Sequence, residues 1–269
     1  MMRLSVSELT TYRWTLEEDI AQYQACGFEG IGVWRHKLSD CGEEHGIDLL
    51  AASALKVSSL QWIGGFTGSD GCTQREAIDD GIEALRIAAA LNADCLIAFT
   101  GSRGGHTRHH SRRIVLEALN ELAAAAYDLE VTLAIEPMHP GCGYHWTFVH
   151  DLNDSLSLID EVKAGPVKMV FDIYHLAHEH FDRGAIAGLV DRIALVQVGD
   201  ARKPPRGEQN RCLLGTGAIP LSEILLMLDD AGYGGFYEIE LMGEELERHD
   251  YLEKLSHAKE FFSELTAVR

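Results

Sequence analysis

The chain has 269 residues, 46% hydrophobic and 24% charged, which suffices for one large core and requires no second domain. A formal net charge of −19 without a basic patch argues against nucleic acid as a partner, because binding a polyanion needs lysines and arginines to displace counterions. Six cysteines without a CxxC pair fit reduced thiols in a cytoplasm, and no apolar run suggests a signal peptide or a membrane span.

RLSVSEL reads as the first strand. Thr15, with Glu18 three residues on, is a capping-box start for the first helix, which Gly27 stops. GFEGIGVW is the second strand, followed by a weakly patterned helix near 36–45. The segment 49–62 holds the third strand, roughly VSSLQW, and Ile78, Ile82, Leu85 and Ala89 then recur at helical spacing. DCLIAFTG is the fourth strand, and Val115, Leu119, Leu122 and Ala126 mark its helix. VTLAIEP, VKMVFD, IALVQV and FYEIEL supply strands five to eight, with helices over roughly 152–162, 177–189 and 221–231 between them. Leu255, Ala258, Phe262 and Leu265 close the chain with a last helix. Strands alternate with helices and no low-complexity linker interrupts them, so the expected fold is α/β: a single-domain (β/α)8 TIM barrel over 1–269.

Side chains alternate faces along a strand. In VTLAIEP, Val131, Leu133 and Ile135 face the helix layer, while Thr132, Ala134 and Glu136 face the barrel. The same test turns Val167, Met169 and Phe171 outward and Asp172 inward. Gln197 shares a face with Ile193 and Leu195, and Glu240 opposes the outward Tyr237 and Ile239. Glu136, Asp172, Gln197 and Glu240 thus fall inward at strand C-termini, the end that carries the chemistry of this fold. Glu238 and Lys168 also fall inward, deeper, which calls for a buried ion pair or for a bulge or register shift.

Ionised carboxylates taken out of water are costly unless a cation or hydrogen bonds compensate them. Converged at one barrel mouth, the four residues would form an oxygen-rich pocket for one divalent cation; the alternative for each alone is a strand-end residue facing water. Three carboxylates and an amide oxygen without cysteine suit Mn²⁺ or Mg²⁺ first, with Co²⁺ or Zn²⁺ as further candidates and structural zinc disfavoured. A carbonyl and its neighbouring hydroxyl bound to such a cation lose the proton on the shared carbon more readily, because charge developing on the enediolate oxygens is stabilised. If Glu136 removes a proton on one face and Glu240 delivers one on the other, the carbon is inverted; if one group shuttles the proton to the adjacent carbon, aldose and ketose interchange.

Several residues are candidates for substrate contact. Trp14, Trp34, Trp62 and Trp146 lie at or beyond strand ends, where a flat ring can stack on a sugar or simply pack the rim. Trp34, Arg35 and His36 follow strand two directly. His139 and His145 lie in MHPGCGYHWTF, which has the composition of a lid over the pocket. SRGGHTRHH, with Arg103, His106, Arg108, His109 and His110, is a candidate anion site that lacks a phosphate-loop signature. Arg202 and Arg211 flank the loop after Gln197, where they could hold a carboxylate or hydroxyl, and Asp200 could orient a ligand. His178 and His180 in HLAHEHF read as solvent-facing in preference to a zinc site.

The runs IEPMHP, DIYH, VQVGD, LLGTG and GYGGFYEIEL, in this order, resemble the sugar phosphate isomerase/epimerase family of xylose isomerase-like barrels, most closely from Val131 to Gly243. The resemblance implies metal binding by Glu136, Asp172, Gln197 and Glu240, with the two glutamates as the acid/base pair. It implies that His175, in the DxxH run, contacts substrate or orients the metal site. Gln197 departs from the commoner histidine and matches the hydroxypyruvate isomerases. Self-association into dimers or tetramers is likewise an implication of the resemblance alone. The expected activity is isomerisation or epimerisation of a small sugar, keto-sugar or related carbohydrate. The alternatives are a lyase or dehydratase acting on an oxidised sugar or glycoside, and a non-catalytic sugar-binding protein. A DNA-repair phosphodiesterase is disfavoured, because GEQNRCLLGTG lacks the Asp-x-His expected before the glycine turn and the chain is acidic.

Overall fold

The fold is taken from a computed structural model, which describes residues 2–267. Eight parallel strands close into a barrel: β1 (Arg3–Ser7), β2 (Gly30–Trp34), β3 (Lys56–Ile63), β4 (Cys95–Ala98), β5 (Thr132–Ile135), β6 (Val167–Asp172), β7 (Ile193–Val198) and β8 (Phe236–Ile239). Each pairs with its sequence neighbours, and β1 pairs with β8 to close the ring. Closure leaves no free edge and gathers all strand C-termini around one mouth.

Alternation along the strands separates two apolar layers. Ile97, Ala134, Val170, Leu195 and Phe236 fill the barrel. Val131, Leu133, Ile135, Met169 and Phe171 pack outward against the helices, as parity predicts for β5 and β6. Ile193 departs from the pattern: it lies in the outer layer, because the β6–β7 register shifts between Met169 and Val170 and reverses the alternation below Leu195. The upper part of β7 keeps the expected phase, with Leu195 and Gln197 inward. In β2 the inward positions are glycines. A Cβ on Gly30 would lie 2.7 Å from the Phe236 ring, and one on Gly32 would overlap the Glu238 carboxylate, so this strand makes room for the side chains of β8.

The helices are α1 (Leu16–Ala25), α2 (Arg35–Cys41), α3 (Glu43–Ala52), α4 (Gln74–Ala90), α5 (Arg108–Asp128), α6 (Leu152–Glu161), α7 (Arg183–Leu189), α8 (Leu221–Asp230) and α9 (Tyr251–Ala267). Thr15 and Glu18 form the reciprocal capping box of α1, and Thr73 with Glu76 does the same for α4. Two expectations need correction. The helix near 36–45 is two helices broken at Gly42, whose φ of 90° no helix interior tolerates, and the second runs on to Ala52, while the strand expected at VSSLQW is found as Lys56–Ile63. The helix over 177–189 begins only at Arg183; Asp182 caps it by accepting from the Ala185 N–H, and His178 and His180 stand before it. No helix of the described residues is long and apolar enough to cross a membrane.

Candidate active site

Glu136 and Glu240 each stand one residue beyond their strand, held by backbone bonds from Glu136 N to Ala98 O (3.1 Å) and from Glu240 N to Val198 O (3.1 Å). Asp172 ends β6, where it pairs in register with Gln197 of β7. Its Oδ1 accepts from the N–H of Tyr174 at 2.7 Å, capping the single turn Ile173–Leu176 and thereby presenting His175. All five residues are at most 5% exposed.

Their polar atoms converge. Arg211 Nη2 donates to Asp172 Oδ2 at 2.8 Å and to Glu240 Oε1 at 2.9 Å. Gln197 Nε2 donates to Glu240 Oε2 at 3.0 Å. His175 Nε2 lies 3.8 Å from Glu136 Oε1 and 3.7 Å from Asp172 Oδ2. Gln197 Oε1, by contrast, has no partner although it is buried, and no described donor reaches the Glu136 carboxylate. Glu136, Asp172 and Glu240, with Glu238 just below them, outnumber the single guanidinium of Arg211. Oxygen atoms without partners and an excess of negative charge fit a divalent cation held by Glu136, Asp172, Gln197 and Glu240.

Burial raises Glu136 well above the usual carboxyl range, and the neighbouring Asp172 and Glu240 add to the effect. Glu240 is raised to about 7 by burial, against the pull of Arg211. Burial acts in the same direction on Asp172, but Arg211, His175 and the Tyr174 N–H outweigh it and hold its carboxyl below the ordinary value. Arg211 is kept charged by Asp172 and Glu240 despite its burial, stacks on Tyr174, and fits because Gly199 has no side chain in its way.

His175 is pushed down to about 3 by burial and is therefore neutral. Its Nδ1 accepts from the His139 N–H at 3.3 Å, which assigns the ring proton to Nε2. Glu136, Asp172 and His175 offer ligand atoms within 4.8 Å of one another, but an Nε2–H aimed at the centre donates a hydrogen bond and does not ligate an ion.

Beside this cluster opens a cavity of about 190 Å³, with Glu136, Gln197 and Glu240 on one side and Trp62, Phe99 and Trp146 on the other. The three rings meet at centroid distances of 5.4 to 6.0 Å and form one apolar wall. The loop carrying Trp146 is tied down by Gly101 N to Trp146 O (2.9 Å) and Phe148 N to Thr100 Oγ1 (3.1 Å).

Of the residues expected to contact substrate, Trp62 and Trp146 line the cavity and His175 and Arg211 stand in the carboxylate cluster beside it, whereas Trp34, Arg35, His106 and Arg202 lie elsewhere. Trp34 packs on His36 and lines a separate cleft with Trp14. Arg35 is engaged by Asp80 at 2.7 and 2.8 Å and braces the Trp62 carbonyl from behind. His106 stacks on His110 at the start of α5, where Arg108 pairs with Asp154. Arg202 turns outward to Glu245. Asp200 accepts from the N–H groups of Ala201, Gly217 and Ile219, so it shapes the loop that delivers Arg211. His145 stacks on Tyr144 at the surface, and His139 stacks on His178 behind His175.

Glu238 forms no ion pair with Lys168 among the described residues. Ser58, Ser59, Gln61 and Gln197 all donate to it, which corrects the buried-pair expectation. Ser58, Ser59 and Gln61, together with Phe99 and the Gln209 that accepts from Arg211 Nε at 2.9 Å, were missed in sequence. The available signal was the run of polar residues inside the otherwise buried strand VSSLQW.

A family model described as the xylose isomerase-like TIM barrel matches residues 20–261. The chain is similar to the inosose isomerase of Halalkalibacterium halodurans, 23% identical over 274 residues that cover 96% of this chain and 94% of the relative. It is similar to the hydroxypyruvate isomerase of Escherichia coli K12, 26% identical over 78% of this chain and 81% of the relative. Among solved structures, the IolI protein with a bound zinc atom superposes with a TM-score of 0.83 at 21% identity, covering 98% of both chains, a likeness of fold.

Proposed function

The chain belongs to the xylose isomerase-like TIM barrel family, and on that premise we propose that it is a divalent-metal-dependent isomerase or epimerase of a small sugar, keto-sugar or related carbohydrate. The observation that carries the reading is the donor set: the buried Gln197 Oε1, which has no hydrogen-bond partner among the described residues, beside the carboxylates of Glu136, Asp172 and Glu240, the last two sharing one guanidinium. Oxygen donors of this kind favour Mn²⁺ or Mg²⁺, with Co²⁺ and Zn²⁺ as further candidates. An ion held there supplies Lewis-acid stabilisation of negative charge developing on the substrate's oxygens.

The remaining chemistry belongs to the side chains. Glu136 and Glu240, each one residue beyond its strand and lining the cavity, are the carboxylates placed to take a proton from carbon and give one back. Acting on opposite faces of one carbon they invert it; one of them serving adjacent carbons interconverts aldose and ketose. His175 Nε2–H, unpartnered among the described residues and close to Glu136, is a donor for a substrate oxygen, and Arg211 fixes the Asp172 and Glu240 carboxylates around it. Trp62, Phe99 and Trp146 cover the C–H face and keep water from the exchanging proton.

The test is a screen of ketoses, aldoses and keto acids in deuterated water with Mn²⁺, read by NMR. Deuterium is expected at a carbon next to a carbonyl, in a product of unchanged composition. A product that has lost water points to elimination. Sugar binding without exchange in any compound overturns the catalytic reading in favour of a binding protein.

A further inference from the structure

Gln197 ends in an amide, and an amide can present either its oxygen or its nitrogen to the cavity with almost the same shape. Two acceptors remove that freedom. Gln197 Nε2 donates to Glu238 Oε1 at 3.2 Å and to Glu240 Oε2 at 3.0 Å, so the carbonyl oxygen is turned the other way, where it meets no hydrogen-bond donor among the described residues. Glu240 belongs to the reacting cluster, whereas Glu238 lies two residues deeper in β8 and is completely buried.

The surroundings of Glu238 are built for an acceptor. β3 sends Ser58 and Ser59 to its Oε2 at 2.7 and 2.8 Å, and Gln61 Nε2 to its Oε1 at 2.8 Å. Ser7 of β1 donates to Gln61 Oε1 at 3.2 Å and holds that amide in turn. Gly32 of β2 leaves the space the carboxylate fills. Three strands thus commit inward positions to a group that makes no contact with the cavity, although an apolar side chain would fill a barrel interior more cheaply.

We propose that Glu238 is a positioning residue that locks the Gln197 carbonyl oxygen toward the metal pocket and thereby sets the affinity for the ion. This rests on the reading of Gln197 as a ligand given under Proposed function.

The experiment is calorimetric titration of Mn²⁺, and separately Zn²⁺, into metal-free protein, with circular dichroism and thermal melting to establish that each variant is folded. Glu238→Leu removes the acceptor and is expected to weaken binding by about tenfold or more, the usual scale for a residue that orients a ligand. Glu238→Gln keeps a carbonyl that Gln61 and Gln197 can both reach, and is expected to stay within about threefold of the parent. In a Gln197→Ala background, Glu238→Leu should change affinity by less than about twofold, because no amide is left to orient. Should Glu238→Leu not fold, Gly32→Ala makes the same comparison by displacing the carboxylate. Equal losses in both backgrounds, or none in either, overturn the role of Glu238 and leave the proposed function standing. A parent protein that binds neither metal overturns both.

Discussion

Glu136 and Glu240 hold protons more tightly than free carboxylic acids because burial strips water from their charged forms, while Asp172, equally buried, is held ionised by Arg211 beside it. Similar side chains in one cluster are thereby divided into two that favour the protonated form and one fixed anion. Glu136→Gln and Glu240→Gln preserve shape and remove the titrating oxygen. Each is expected to reduce solvent deuterium exchange by about 100-fold or more with unchanged circular dichroism. Turnover retained at the parent rate in either variant would remove that glutamate from the acid/base pair. That Glu136, Asp172, Gln197 and Glu240 meet at one barrel mouth was largely legible from the chain, because inward parity at a strand end is a local property. Trp34, Arg35, His106 and Arg202 were attractive on the same local grounds, yet their rims point elsewhere or are occupied by Asp80 and Glu245.

Strand periodicity, helix spacing and capping signals are short-range, so element boundaries followed them closely wherever one signal dominated. Thr15 and Glu18 show this for α1. Thr15→Ala removes the acceptor for the Glu18 N–H and is expected to lower stability by about 1 kcal/mol in urea unfolding, with exchange activity unaffected. No change in the unfolding midpoint would mean that packing alone sets the start of α1. The readings that failed are those in which a neighbouring element decides. Ile193 faces the helices because β7 is paired across a bulge with β6, and β6 lies elsewhere in the sequence. The stretch before α7 looked helical by composition, but the carboxylate of Asp182 starts the helix late.

The whole barrel mouth carries more negative charge than its one guanidinium balances, so on the proposed reading a proton and a bound cation compete for the same oxygens. In metal-free protein, Glu240 titrates near 7 when folded, against an ordinary value of 4.5. The folded state therefore binds the proton more tightly, and the stability this contributes is present below about pH 4.5 and lost as pH rises through about 7. Glu136 is raised in the same direction. The melting temperature of metal-free protein should fall between pH 5.5 and 8 (all pH values about), and Mn²⁺ at about 100 times its dissociation constant should raise it at the upper end by roughly 5 °C. A melting curve at pH about 8 that ignores both EDTA and Mn²⁺ would count against an ion among these carboxylates.

The alternation of strands and helices, the inward phase of β5 and β6, and the acidic and amide residues at four strand ends follow from residues close together in the chain, where period and capping are set by local sterics and hydrogen bonds. The partners of those residues do not. Arg211 reaches Asp172 from 39 positions away and Glu240 from 29, and Glu238 takes Ser58 as a donor from 180 positions earlier and Gln197 from 41. Such meetings exist only once the barrel closes, because ring closure brings the first strands against the last and makes one low-dielectric interior in which distant polar groups must satisfy one another.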